Sequence, residues 1–304
     1  MTTDLKDLRH NAFVYASQDE YVARSVTFLR EGLEAGEGAI VAHARLGLAA
    51  MREALGSDAT AVRFIDVSST YTRPARTLAA YHKVLADELE RTPSLRAVAD
   101  VQVGRDPREW DLWMSYEAVL NRSFGHLPVW VLCTYNGDRL TDPVLEGVWR
   151  THPEVVADDA WSTSEHYEDP DHLLRQITPE PRPISDLRSI GFGQDAEEFR
   201  ERLARALVDE QVSEAKVLDM LLAATEVAKN AIEYGGGVEG VRVGRAEGRF
   251  VCEITDRGPG FDDPAAGYLA PRPGAGTGLW VARQLTWQIE FFCSPAGFTA
   301  RLWL

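Results

Sequence analysis

Apolar residues along this chain fall into two rhythms that predict two differently built halves. From residue 11 to residue 135, short apolar runs alternate with stretches whose apolar positions recur every three or four residues, the spacings of strands and of one-faced helices. Residues 11–15, 38–42, 62–66, 95–100 and 129–135 predict strands, and residues 21–34, 46–55, 77–89 and 110–123 predict helices. In the helix over 21–34, Val22, Val26, Leu29 and Leu33 share one face. Residues 129–135 are nearly all apolar, as in a strand covered on both faces. Strands and helices in this alternation predict an α/β unit with a mostly parallel sheet.

Between residues 167 and 190 the composition shifts to Pro, Asp and Arg, and Thr178-Pro179-Glu180-Pro181-Arg182-Pro183 is the stiffest stretch. Proline removes backbone donors and disfavours helix in the residue before it, so this region predicts a linker. The expected division is therefore 8–166, a linker over 167–189, and 190–304. Past the linker the order changes. Residues 196–208 and 213–234 predict two amphipathic helices, the second stopped by Gly235-Gly236-Gly237. Residues 238–245 and 249–256 alternate as a hairpin around Ala246-Glu247-Gly248, residues 279–286 predict a helix, and residues 288–293 and 298–304 predict a closing strand pair. This order predicts an α+β unit, a helix layer on a mixed, largely antiparallel sheet.

Composition narrows the function classes. With 45% hydrophobic and 26% charged residues, each half can bury a core. No apolar run reaches the ~18 to 20 residues that span a bilayer, and the first ten residues lack a basic region followed by an apolar one, so the expectation is a cytoplasmic protein without membrane attachment. A net charge of -15 argues against direct nucleic-acid binding, which depends on Lys and Arg neutralising phosphates. Cys133, Cys252 and Cys293 lie far apart in apolar segments and predict buried free thiols.

Three segments of the second half occur in an informative order. Glu226 and Asn230 lie four residues apart in the predicted long helix and so leave the same face one turn apart. An Asn carbonyl suits Mg²⁺, which keeps several waters and takes phosphate oxygens, and a carboxylate one turn earlier can orient or deprotonate a hydroxyl. Next comes Asp256-Arg257-Gly258-Pro259-Gly260, where a carboxylate at a strand end can accept the exocyclic amine of adenine and the glycines let backbone approach the base. Then Gly274-Ala275-Gly276-Thr277-Gly278-Leu279 opens a helix, where backbone N–H groups and the helix dipole favour phosphate. The spacing is not that of a P-loop and lacks its lysine. Each segment alone is a common turn or surface motif; their order points to a nucleotide site.

These segments resemble the N, G1 and G2 boxes of the GHKL (Bergerat) ATPase fold, an α/β sandwich, over roughly residues 190 to 304. The short stretch between the second and third boxes, 261–273, is similar to the ATP lid of the anti-sigma-factor serine kinases of the RsbW type. The resemblance implies ATP and Mg²⁺ as cofactors, Glu226 as catalytic base, Asn230 as the Mg²⁺ ligand, and Asp256 for adenine. It further implies Gly258, Gly260, Gly274, Gly276, Thr277, Gly278 and Leu279 around the nucleotide, with Thr299 of the closing strand near the base. One departure is Tyr234, where members of that branch often carry a His after the N-box Asn-Ala. His166 and His172 sit in the linker and no helix pair with a phosphoacceptor His precedes the ATPase part, so any phosphoryl acceptor is expected on another protein.

Residues 10 to 165 resemble the MEDS sensory domain, named for methanogen and methylotroph regulators, with a RecA/KaiC-like α/β fold. The resemblance rests on residues 28–41, Trp113-Met114-Ser115-Tyr116-Glu117, Trp130-Val131-Leu132-Cys133-Thr134-Tyr135 and Thr151-His152-Pro153. Trp110, Trp113, Tyr116, Trp130 and Tyr135 are candidates to line a pocket for a small apolar effector, although core packing is the stronger account of any one of them. His10, His43, His126 and Cys133 match no metal motif by spacing. The two-domain arrangement resembles the actinobacterial RsbA-family anti-sigma regulators. It implies a serine/threonine protein kinase or anti-sigma factor acting on a sigma factor or a STAS-type antagonist, gated by the first domain. The alternative is an ATP-binding partner-switching module without kinase activity. Relatives of the ATPase domain dimerise, so a homodimer is a further expectation.

Overall fold

The computed structural model describes residues 5–68, 73–101, 107–157, 160–177, 182–269, 271, 276–294 and 297–304. The chain divides into two compact units, Met1–Ile177 and Thr178–Leu304.

The first unit alternates strand and helix as its hydrophobic rhythm predicts. Its elements are β1 (Arg9–Tyr15), α1 (Gln18–Glu34), β2 (Gly38–His43), α2 (Arg45–Leu55), β3 (Val62–Asp66), α3 (Pro74–Leu89), β4 (Leu95–Asp100), α4 (Pro107–Phe124), β5 (Val129–Asn136), α5 (Asp142–Thr151), β6 (Glu154–Ala157), β7 (Ala160–Thr163) and α6 (Pro170–Ile177). The sheet runs β3-β2-β4-β5-β1-β6-β7. All its pairings are parallel except β6 with β7. Central β5 is buried over seven of its eight residues, as its apolar run requires. Side-chain alternation divides the strands between two faces. Phe13, Val41, Val98, Trp130 and Leu132 pack with α1 and α2 residues such as Tyr21, Leu29 and Met51. Their neighbours Ile40, Ala42, Ala97, Ala99, Val131 and Cys133 line a cavity of about 40 Å³ with Tyr81 and Leu85 of α3 and Tyr116 and Leu120 of α4.

The stretch read as a linker contains structure. Pro170–Ile177 is helical and buries Leu173, Leu174 and Ile177, an apolar triplet at helical spacing that the surrounding Pro and Asp mask in composition. The linker therefore begins after α6; its Pro-rich residues 178–181 lie outside the described residues.

The second unit comprises β8 (Arg188–Ser189), α7 (Ala196–Asp209), α8 (Glu214–Glu233), β9 (Val238–Ala246), β10 (Arg249–Asp256), α9 (Gly278–Leu285), β11 (Gln288–Ser294) and β12 (Gly297–Trp303). Its sheet runs β11-β12-β10-β9-β8, and every pairing is antiparallel, not mixed. One sheet face (Val241, Val243, Cys252, Ile254, Ala300, Leu302) packs against Phe199, Leu203 and Leu207 of α7 and an alanine-rich stripe of α8. On the other face Arg301 is 3% exposed and held by Glu253 at 2.7 Å and Glu290 at 3.1 Å. Asp195 caps α7 by accepting from the backbone N–H groups of Glu197 and Glu198, both at 2.9 Å. Cys133 and Cys252 are buried, but Cys293 is exposed because β11 is an edge strand. No helix among the described residues is long and apolar enough to cross a membrane.

Candidate functional site

The C-terminal half of α8 sets the site. Met220, Ala223, Ala224, Val227, Ala228 and Ala231 form its buried stripe at helical spacing, and Glu226 and Asn230 flank that stripe, partly exposed. Glu226 Oε1 accepts from Lys229 Nζ at 2.8 Å. α9 begins beside this pair: a Cβ on Gly278 would lie 2.7 Å from Glu226 Oε2 and 3.7 Å from Asn230 Oδ1. Without a side chain at 278, the start of α9 comes close to the Glu226 carboxylate without displacing it. Thr277, at the N-cap, makes no side-chain capping bond, so the first-turn N–H groups stay available to an acceptor. Gly276 and Thr277 are exposed, Leu279 is half-buried against the core, and a Cβ on Gly276 would meet nothing within 4 Å. Gly274 lies outside the described residues.

Asp256 is placed by a β-bulge and two glycines. The pairing of β10 with β9 shifts register between Thr255 and Asp256, which re-aims the carboxylate at the strand end. Asp256 Oδ1 accepts from Gly258 N–H at 2.7 Å. Its other oxygen abuts Gly235, where a Cβ would sit 2.6 Å from Oδ2, and a Cβ on Gly258 would meet the Gly235 backbone at 2.8 Å. The Arg257 N–H donates to Gly235 O at 3.0 Å, tying the strand end to the end of α8. Partial burial pushes the Asp256 carboxyl up from its ordinary range, opposed by the Gly258 N–H. Gly260 has φ +73, and a Cβ there would overlap the Phe298 ring. Thr299 lies opposite Thr255 in β12, with the hydroxyls 2.8 Å apart, and is 3% exposed.

Structure thus joins the three segments through α8: Gly278 adjoins Glu226 and Asn230, and Asp256 and Gly258 adjoin Gly235 just past the helix. The carboxylate, the carbonyl, and the capless helix start offer acceptors and donors suited to an amine, a hard cation and an anion in turn. Tyr234 turns outward, 72% exposed.

The sequence reading missed several supports of this site. Gly235, a helix stop by sequence, also makes room for Asp256. Arg283 of α9 is 7% exposed; it donates to Ala266 O at 2.6 Å and lies 4.0 Å over the Tyr268 ring. Burial holds its guanidinium below its ordinary range. It fastens the segment between the second and third motifs to the domain, and the signal was a charge at a core-spaced helix position. Phe261, Phe291 and Phe298 cluster beside Gly260, with Phe261 centroids 4.9 and 5.1 Å from the other two rings.

Of the aromatics proposed for the first unit's pocket, only Tyr116 lines the cavity there. Trp130 lies on the opposite sheet face against Phe28 and Trp161, and Tyr135 points to Glu117 and His152.

A comparison with curated proteins gives no match. Two family models do match: residues 194–303 fit the histidine kinase-like ATPase domain, and residues 9–153 fit MEDS, the methanogen/methylotroph DcmR sensory domain. The α/β unit and the antiparallel helix-layered unit carry those two matches in the same order, and the chain accordingly holds a MEDS-type domain over 9–153 followed by a GHKL-like histidine kinase-like ATPase domain over 194–303.

Proposed function

We propose that the second domain binds Mg-ATP and that the protein is a transcription regulator acting on a protein partner, a sigma factor or a small antagonist of one. The reading rests on one observation: Glu226, Asn230 and Gly278 adjoin in the last two turns of α8, and Asp256 and Gly258 adjoin Gly235 just past the same end. Asn230 would hold Mg²⁺, Asp256 would accept from adenine, and the backbone around Gly276 to Leu279 would take phosphate oxygens. Bound Mg-ATP supplies a transferable phosphoryl group with its charge partly neutralised. Glu226 would then orient or deprotonate a partner's Ser or Thr hydroxyl, and a ligand in the first domain would gate the activity.

A specific contact favours a second reading, in which ATP orders the domain for a partner and no transfer occurs. Glu226 Oε1 already accepts from the Lys229 ammonium, which leaves only Oε2 to take a proton from a hydroxyl. Titration calorimetry tests the site. Asn230→Ala and Asp256→Ala should each weaken Mg-ATP binding at least about tenfold, a loss of ~1.4 kcal/mol; wild-type affinity in both overturns the assignment. Radiolabelled ATP with candidate antagonists separates the readings, because transfer abolished by Glu226→Ala supports the kinase and binding without transfer supports the module.

A further inference from the structure

The first domain encloses a group of potential ligands that its spacing along the chain conceals. His10 of β1, Glu117 of α4, Cys133 of β5 and His152, just past α5, are all buried, and one ligand atom from each lies within 4.8 Å of all the others. His10 and Cys133 belong to adjacent strands, with His10 Nε2 3.2 Å from Cys133 Sγ and 3.4 Å from Glu117 Oε2. The other histidines named from sequence go elsewhere: His43 faces Asp100 at 3.6 Å and His126 is exposed.

Protons at this cluster do not suffice for its acceptors. Asn121 donates its amide to Thr151 O at 2.7 Å, which leaves its Oδ1 to accept from His10 Nδ1 at 3.0 Å. His10 therefore carries its proton on Nδ1 and turns a lone pair on Nε2 inward. His152 Nδ1 donates to Val148 O at 2.9 Å, so its Nε2 is also an inward lone pair. Glu117 adds two oxygens; Oε1 and His152 Nε2 compete for the single Tyr135 hydroxyl proton at 3.3 and 3.5 Å, and buried Oε2 has no hydrogen-bond partner. The Cys133 thiol and the Tyr135 hydroxyl thus supply two protons to His10 Nε2, His152 Nε2 and both carboxylate oxygens. No Lys or Arg pairs with Glu117 among the described residues. A buried carboxylate left this way is costly.

We propose that His10, Glu117, Cys133 and His152 bind a divalent transition-metal ion of the zinc class. Two imidazoles, a thiolate and a carboxylate are a borderline-soft set that suits Zn²⁺, and the two negative ligands neutralise its charge. Ligand atoms on tetrahedral zinc stand ~3.3 to 3.8 Å apart, so a modest contraction of the group suffices. Both histidines already have an outer partner on Nδ1, the arrangement that orients metal-ligating imidazoles. Glu117 and Cys133 also line the apolar cavity, so ion binding would set the charge of one of its walls.

The test uses the full chain. After chelator treatment and dialysis, zinc is titrated against a colorimetric chelator, and cobalt(II) is added in parallel to read thiolate-to-metal charge transfer. The expected result is stoichiometric zinc uptake and a charge-transfer band. Cys133→Ser should abolish the band, and Asn121→Leu should keep it while lowering zinc affinity about 10 to 100-fold. Circular dichroism checks that the variants fold. The wild-type chain alone can overturn the proposal: no zinc uptake and no cobalt–thiolate band would mean that the cluster is satisfied by an extra proton between His10 and Glu117. A band that persists in folded Cys133→Ser would overturn it equally.

Discussion

Asp256 shows how much one side chain depends on what its neighbours lack. Its carboxylate fits against α8 because position 235 has no Cβ, and it is oriented because Gly258 lends it an N–H. Partial burial raises its carboxyl, so with respect to folding it contributes stability below the unfolded-state value that is lost as pH rises through the folded-state one. Binding has the opposite sign. An amine needs the ionised acceptor, so Mg-ATP affinity should fall as pH drops through the raised range of Asp256. Asp256→Asn, whose oxygen would stay on the Gly258 N–H and turn an amide NH₂ toward the ligand, should remove this pH dependence. It should also lose ~1.5 to 3 kcal/mol of binding, roughly one to two orders of magnitude, with little change in melting temperature. Calorimetry across pH checks both; unaltered pH dependence in the variant would separate Asp256 from the base.

At the scale of elements, α9 is an eight-residue helix that does two jobs with opposite ends. Its start adjoins Glu226 and Asn230, and Arg283 from its last turn reaches Ala266 O and the Tyr268 ring. Arg283→Met keeps the packing but leaves the Ala266 carbonyl without this donor. Local stability of the 261–269 segment should drop by about 1 to 3 kcal/mol. Hydrogen exchange of the Ala266 to Tyr268 amides should accelerate accordingly, while the buried α8 amides stay protected. Equal acceleration in both would assign Arg283 a role in the whole domain core instead. These elements were legible in the sequence because α8 and α9 carry 3.6-residue apolar periods and β5 an unbroken apolar run. Helix α6 was not, since Leu173, Leu174 and Ile177 are too few to stand out among prolines and aspartates.

For the whole molecule, stabilisation by ligand is the measurement that joins site to fold. A ligand at 100 times its dissociation constant stabilises the state that binds it by about 2.7 kcal/mol, so Mg-ATP should raise the melting temperature of the full chain, and that of Asn230→Ala, bound tenfold more weakly, by about half as much or less. Equal shifts in both would take the ion and nucleotide away from Asn230. The order of strands and helices from β1 to β5 and from α7 to β12, and the three motifs of the second half, were legible in the sequence alone, because periodicity and backbone freedom are local properties that neighbouring residues express by themselves. Only the tertiary structure decided which residues meet. It set Gly235 under Asp256, turned Arg283 into a fastening, and drew His10, Glu117, Cys133 and His152 from four separate elements into one buried cluster. Such meetings depend on strand order, on register and on which sheet face a helix covers, and these follow from packing the whole chain at once.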